Sequence, residues 1–242
     1  MITKKKRMSS ALKASLEDLL RARRLQAEAP PLRGEDRQLR PLPTGIAAVD
    51  TLLRGGFPRG QVSEIHGLAS SGRTGLALSL VAHTTKTGAL AAWVDPADRL
   101  DPASAAAAGV DLARLLWLRG EGQGPRALAA AVAAVATLLG SGLFEGIVLD
   151  LAAVASHEIR RLPGTTWIRL QRMIEDAPAA LVLMADAHVA HGPGGVSLSL
   201  RPDGVRWSGE PGPGRLLRAL GAEARAGRLA VRAAPLELTA VD

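Results

Sequence analysis

Five short strand-like runs recur along the middle of the chain: QVSEIHG (61–67), ALAAWVD (89–95), LLWLRG (115–120), EGIVLDL (145–151) and AALVLMAD (179–186). The last four are largely apolar, which is what a strand buried on both faces requires, and the first runs into a glycine-rich loop. Between them, TGLALSLVAHTTK (74–86), the alanine-rich stretch 125–139 and TTWIRLQRMIEDAP (165–178) carry apolar residues at helical period. The last of these sets Trp167, Leu170, Met173 and Ile174 on one side. TGIAAVDTLLRGG (44–56) reads as a short helix stopped by two glycines. Strands separated by helices predict an α/β fold, with a mostly parallel sheet flanked by helices.

The pattern changes at both ends. After Pro193 the period becomes two: VSLSLRPDGVRWSGE (196–210) alternates around a Pro-Asp-Gly turn and predicts a hairpin. RLAVRA (228–233) and PLELTAVD (235–242) predict further short strands, giving an antiparallel β edge at the C-terminus. Near the start, Leu12, Leu16, Leu19 and Leu20 follow Ser9 and Ser10 at helical spacing, opposite Lys13, Glu17, Asp18 and Arg21. That amphipathic helix must pack its leucines on its own core or on a partner, so these four are the candidate partner-binding residues. Pro30, Pro31, Pro41, Pro43 and Gly34 mark 28–43 as a linker. The expected organisation is an arm, helix and linker (1–43), a core (44–195) and a β-rich extension of the same domain (196–242).

Composition narrows the chemistry. Apolar residues make up 47% of the 242, but aromatics only 2%, so alanine, leucine and valine must fill the core. The absence of cysteine excludes disulfides, thiolate nucleophiles and cysteine-ligated metals, and suits a cytoplasmic location. The basic start MITKKKRMSS is not followed by a signal-peptide core, and the apolar stretch 127–139 is shorter than the ~18 residues of a membrane span. No membrane association is expected. The net charge of +7 is concentrated: residues 1–24 hold eight basic and two acidic side chains, against 22 and 21 in the rest. Lys4, Lys5, Lys6 and Arg7 head this arm, which is either a solvated tail or a contact for phosphates or an acidic partner. The five histidines form no recognisable ligand pattern, Asp186-x-His188-x-x-His191 coming nearest, and no metal is expected. Trp93, Trp117 and Trp167 lie in apolar runs and read as core; Trp207, between Arg206 and Ser208, reads as packing or a partner anchor.

The chemistry-bearing stretch is GLASSGRTG (67–75), one residue from the phosphate-binding loop G-x-x-x-x-G-K-[ST]. Its backbone amides would cradle phosphates and Thr74 would ligate magnesium, but Arg73 stands in place of the lysine. A planar guanidinium on a longer stem does not substitute for a compact ammonium. The candidate nucleotide-site residues are Gly67, Ser70, Ser71, Gly72, Arg73 and Thr74, with Asp150 at the end of a later strand as the magnesium-associated acid.

In order, the T-G-x-x-x-x-D stretch (44–50), the G-G-x-P-x-G turn (55–60), a strand carrying Glu64-Ile65, the loop, WVDPADRLDP (93–102), AGVDLARLLW (108–117) and FEGIVLDLAAV (144–154) resemble the ATPase core of the RecA recombinase family. The likeness covers roughly residues 32–186. It implies a RecA-like core, and it makes the departures informative. Ala97 stands where the family's water-activating glutamate is implied, Ser104 where an aromatic often meets adenine, Leu151 after Asp150, and Ala185-Asp186 in place of a nucleotide-sensing Asn-Gln pair. The loop after the fifth strand, HVAHGPGG (188–195), is short for a DNA-binding loop, and the one after the fourth strand offers Arg160 and Arg161. This pattern of decay resembles the ImuA family of RecA-like proteins associated with SOS-induced translesion synthesis. The resemblance implies a non-catalytic accessory factor with weak or absent ATP hydrolysis and no required cofactor, ATP with magnesium being the one it could still bind. It further implies contact with RecA, an ImuB-type Y-family polymerase homologue and an error-prone C-family polymerase. Two alternatives stay open: a working RecA-family DNA-dependent ATPase that uses Arg73, and a DNA-binding module acting through the basic arm.

Overall fold

The five strand-like runs become neighbouring parallel strands of one sheet. The computed structural model describes residue 18 and residues 40–120, 124–175, 177–190, 194–226 and 232–239. The parallel strands are β1 (Gln61–His66), β2 (Leu90–Asp95), β3 (Leu115–Arg119), β4 (Phe144–Asp150) and β5 (Ala180–Ala185). The helices are α1 (Ala47–Leu52), α2 (Arg73–Lys86), α3 (Pro102–Ala107), α4 (Pro125–Ser141), α5 (Ser156–Arg160) and α6 (Thr165–Ile174). Three more strands follow, β6 (Ser197–Ser208), β7 (Leu216–Ala226) and β8 (Arg232–Thr239), and the sheet order is β3-β2-β4-β5-β1-β6-β7-β8. The predicted α/β class, with its mostly parallel sheet and antiparallel C-terminal strands, is what forms.

Continuous apolar runs are needed because successive strand residues face opposite layers. Trp93, Val148 and Val182 join Leu76, Leu80 and Val81 of α2 on one face. Ala92, Ile147, Leu149 and Leu181 join Leu128 and Leu138 of α4 and Leu170 and Ile174 of α6 on the other. α4 ends where Gly142 takes a left-handed φ of 64°.

Several of the motif residues serve this frame. Asp50 of α1 accepts from the Thr44 hydroxyl and backbone N–H (both 2.7 Å) and from Gly45 N–H (3.2 Å), closing the turn into the helix. Gly56, at φ 129°, lies against the Leu42 carbonyl where Leu42 and Phe57 pair, and a Cβ there would collide with it. At the amino end of the sheet, Arg59 donates to the carbonyls of Pro178 (2.6 Å) and Arg40 (3.1 Å) and pairs with Glu145 (2.7 Å). Gln171 accepts from Val62 N–H (2.9 Å) and donates to Gly60 O (3.2 Å), fixing α6 to β1.

Three expectations are corrected. Pro202-Asp203-Gly204 is not a hairpin turn. β6 continues through it, with a register shift between Pro202 and Val205 opposite β7. Gly204 absorbs the bulge with φ 93°, and Gly221 of β7 leaves room for the Asp203 carbonyl, which would lie 2.8 Å from a Cβ. The β6–β7 connection falls at 209–215 instead. Among the described residues, 232–239 form one strand, β8, with no break between the two short strands expected there; Pro235 is tolerated within it because β8 lies at the edge of the described sheet, where its lack of an N–H costs no second ladder. Met173 is 41% exposed, so the buried stripe of α6 is Thr166, Leu170 and Ile174, with Trp167 partly covered. Leu12, Leu16, Leu19 and Leu20, and Lys4, Lys5, Lys6 and Arg7, lie outside the described residues.

Candidate nucleotide site

β1 runs directly into the phosphate loop, and the loop into α2. Two left-handed residues shape the loop, Ser70 (φ 62°) and Gly72 (φ 88°), the second standing as N-cap of α2. Gly67 is needed for close approach: a Cβ there would lie 2.5 Å from the Leu200 carbonyl and 2.6 Å from Ser71 Oγ. Leu238 of β8 packs on the other side, with its Cδ1 2.7 Å and 2.9 Å from where Cβ atoms on Gly72 and Gly75 would stand. The Ser71 hydroxyl is buried and has no hydrogen-bond partner among the described residues. An orphaned donor inside a strand-loop-helix turn fits an anion such as phosphate.

Arg73, the first residue of α2, turns back on the loop. Its Nη1 donates to the Gly67 carbonyl, and its Nη2 stands 2.8 Å from Oδ1 of Asp186, just beyond β5. Two residues singled out separately in the sequence thus meet across 113 positions. The Arg73 side chain is 12% exposed and that of Asp186 51%, so solvent screens the pair and its net worth is about 1 kcal/mol or less. The cation is drawn toward a carboxylate.

The remaining positions divide between the site and the frame. Asp150 closes β4, is 7% exposed and accepts from Ala152 N–H at 3.0 Å. Burial pushes its carboxyl up to about 6, helped by the charge of Asp95 and opposed by Ala152 N–H and by Arg73. With Thr74 in the first turn of α2, Asp150 is the residue present that fits a magnesium ion. Leu151 is 1% exposed and packs on the α4 face, so no side-chain oxygen follows Asp150. Asp98, next to Ala97, holds an unusual φ of 54° and is bound bidentately by Arg119 (2.7 Å twice), which also stacks over Trp117. The neighbouring carboxylate is therefore already engaged by an arginine. Ala97 itself lines a shallow pocket with Pro96, Gly124, Leu128 and Glu158, on the α4 side, and no phosphate-loop residue lines it. Ser104 lies in the first turn of α3 and donates to the N-capping Asp101, its hydroxyl at 2.6 Å and its N–H at 2.8 Å. Arg160 ends the short helix α5.

Sequence reasoning overlooked one further cluster. Glu64, 1% exposed and read only as part of a strand motif, lies beside His66 and His188 at the end of β1. Its oxygens accept from Val189 N–H (3.1 Å), Ala190 N–H (3.0 Å), the Ser197 hydroxyl and His188 Nδ1. Burial opposes ionisation of Glu64, but these hydrogen bonds together outweigh it and hold its carboxyl below the usual range. The signal available was the i, i+2 spacing of Glu64 and His66, which sets both on one strand face.

Comparison with known proteins agrees with this geometry. The RecA N-terminal domain family matches residues 31–175. Protein RecA of Symbiobacterium thermophilum is 39% identical over 133 residues, covering 54% of this chain and 37% of that protein. Protein RecA of Lactobacillus delbrueckii subsp. bulgaricus is 39% identical over 139 residues, covering 56% and 40%. Protein RecA of Arthrospira platensis is 52% identical over 73 residues, covering 30% and 20%. The aligned region spans two-fifths or less of the length of each of these relatives. The match takes in α1, the phosphate loop, β2 and β4 together, and on that extent the chain belongs to the RecA N-terminal domain family.

Proposed function

We propose that this protein is a non-catalytic RecA-like accessory factor in SOS-induced translesion synthesis, acting by contact with RecA, an ImuB-type polymerase homologue or an error-prone C-family polymerase, and able to restrain RecA recombination. The observation that carries the loss of catalysis is the engagement of Arg73 by the Gly67 carbonyl and Asp186. Ala97 and the buried Leu151 remove two more groups that hydrolysis would use. Losing a general base costs about 10²–10⁴ in rate, and a well-placed electrostatic group about 10²–10³. Support for a contact role comes from the β6–β7 hairpin, where Trp207 (45% exposed) stands opposite Leu217 (42%) with Arg215 over the indole. Aromatic and arginine side chains of this kind anchor protein interfaces.

The second reading, a working DNA-dependent ATPase, is favoured by the retained loop backbone, Thr74 and Asp150. Titration of ATP and magnesium, with binding and turnover followed separately, separates the two. Expected are weak binding, no DNA-stimulated turnover, and an affinity several-fold higher in Asp186→Asn, because about 1 kcal/mol of competing ion pair is about fivefold in a binding constant. Turnover matching RecA, lost in Asp150→Ala, would establish the ATPase instead.

A further inference from the structure

We infer that Glu64, His66 and His188 form a zinc site, with water as the fourth ligand. Glu64 and His66 share one face of β1, and His188 reaches them from the segment after β5. One ligand atom from each lies within 4.8 Å of the other two, and Glu64 Oε1 stands 4.0 Å from His66 Nε2. Ligands 2.0–2.1 Å from a tetrahedral zinc ion stand about 3.3 Å apart. The cluster must therefore contract at its widest and open where His188 meets Glu64. The side chains able to move are the outer ones: His188 is 42% exposed and His66 21%, whereas Glu64, at 2%, is held by two backbone amides and Ser197. A fixed, buried carboxylate with two adjustable imidazoles at the surface is an anchor with closing arms.

The donor set selects the metal. Two imidazoles and one carboxylate suit zinc and its neighbours in the first transition row, while magnesium and calcium prefer all-oxygen sites. Glu64 and His66 alternate with Ile65, which packs on the α2 face, so the ion would sit on the opposite face of the sheet from the phosphate-loop helix. It is thus separate from any magnesium held by Thr74 and Asp150. Bound there, zinc would tie the segment after β5 to the strand that leads into the phosphate loop.

The test uses the full chain without a histidine tag, stripped of metal with a chelating resin. Zinc chloride is titrated by calorimetry at pH 7.5, with magnesium chloride as the control, alongside thermal melts with and without excess zinc. Expected are one zinc per chain at micromolar affinity or tighter, no comparable magnesium uptake, and a zinc-dependent rise in melting temperature. His66→Gln and His188→Gln should each weaken zinc binding at least tenfold and abolish that rise, and His66→Gln, which removes none of the hydrogen bonds described for Glu64, should melt like the parent without metal. These outer-residue variants are chosen because Glu64→Gln would also disturb the buried hydrogen-bond set. Absence of saturable one-to-one uptake, or uptake left unchanged by either histidine variant, would overturn the site.

Discussion

At the scale of single residues, Asp150 has the most measurable consequence. Its usual value of 3.8 rises to about 6 in the folded protein because the carboxyl is buried. The folded state therefore holds the proton more tightly than the unfolded chain does. The cost of ionising Asp150 is absent below about pH 4, grows between about pH 4 and pH 6, and is fully present above that. Two units correspond to roughly 2–3 kcal/mol. Asp150→Asn, which keeps an oxygen for Ala152 N–H, is expected to be more stable than the parent by about that amount at pH 8 and by almost nothing at pH 4. Urea unfolding at the two pH values measures it, and a difference that ignored pH would contradict the burial argument. Arg73 and Asp186 teach a separate lesson about legibility. Each stood out in the sequence as a departure, but no periodicity links positions 113 apart, so their contact appears only in the fold.

At the scale of elements, strands buried on both faces were readable because Val148, Leu149, Val182 and Leu183 leave no polar position to interrupt the run. The β6 bulge was not readable. Pro-Asp-Gly has turn chemistry, and Gly221 on the facing strand, lacking a Cβ, makes room for the bulge that lets it continue as a strand. Arg59 is the element-scale clamp, joining the segment at Arg40, the start of β4 at Glu145 and the approach to β5 at Pro178. Its side chain is 7% exposed and that of Glu145 17%, so removing the arginine takes a charge-assisted hydrogen bond from a largely buried carboxylate and two hydrogen bonds from the carbonyls of Arg40 and Pro178. Arg59→Ala is expected to destabilise the protein by on the order of 3 kcal/mol, measured by denaturant unfolding. A loss under about 1 kcal/mol would mean that water replaces the guanidinium well.

At the scale of the whole molecule, β6, β7 and β8 extend the sheet past β1, and Leu238 of β8 reaches the phosphate loop. This extension was legible as β structure from its alternation, but not in its placement, because nothing in 196–242 names the strand it joins. No helix among the described residues is long and apolar enough to cross a membrane. The leucine-bearing segment that precedes the core lies outside the described residues. Under the proposed function, removal of residues 1–27 is expected to abolish co-purification with RecA and with the ImuB-type partner. Full retention would move the contact to the β6–β7 hairpin, where Trp207→Ala then reads it.

The position of β1 within the sheet also governs the order of assembly. β1 comes first among the strands in sequence, yet its neighbours are β5 and β6, with Gln61 registered against Ala180 and Glu64 against Ser197. During synthesis β1 has no strand to pair with until well over a hundred further residues have emerged. Such long-range pairing makes folding slow and leaves apolar strands uncovered meanwhile. The loop at Gly67 and the carboxylate of Glu64 are consequently among the last features of the nascent protein to take shape.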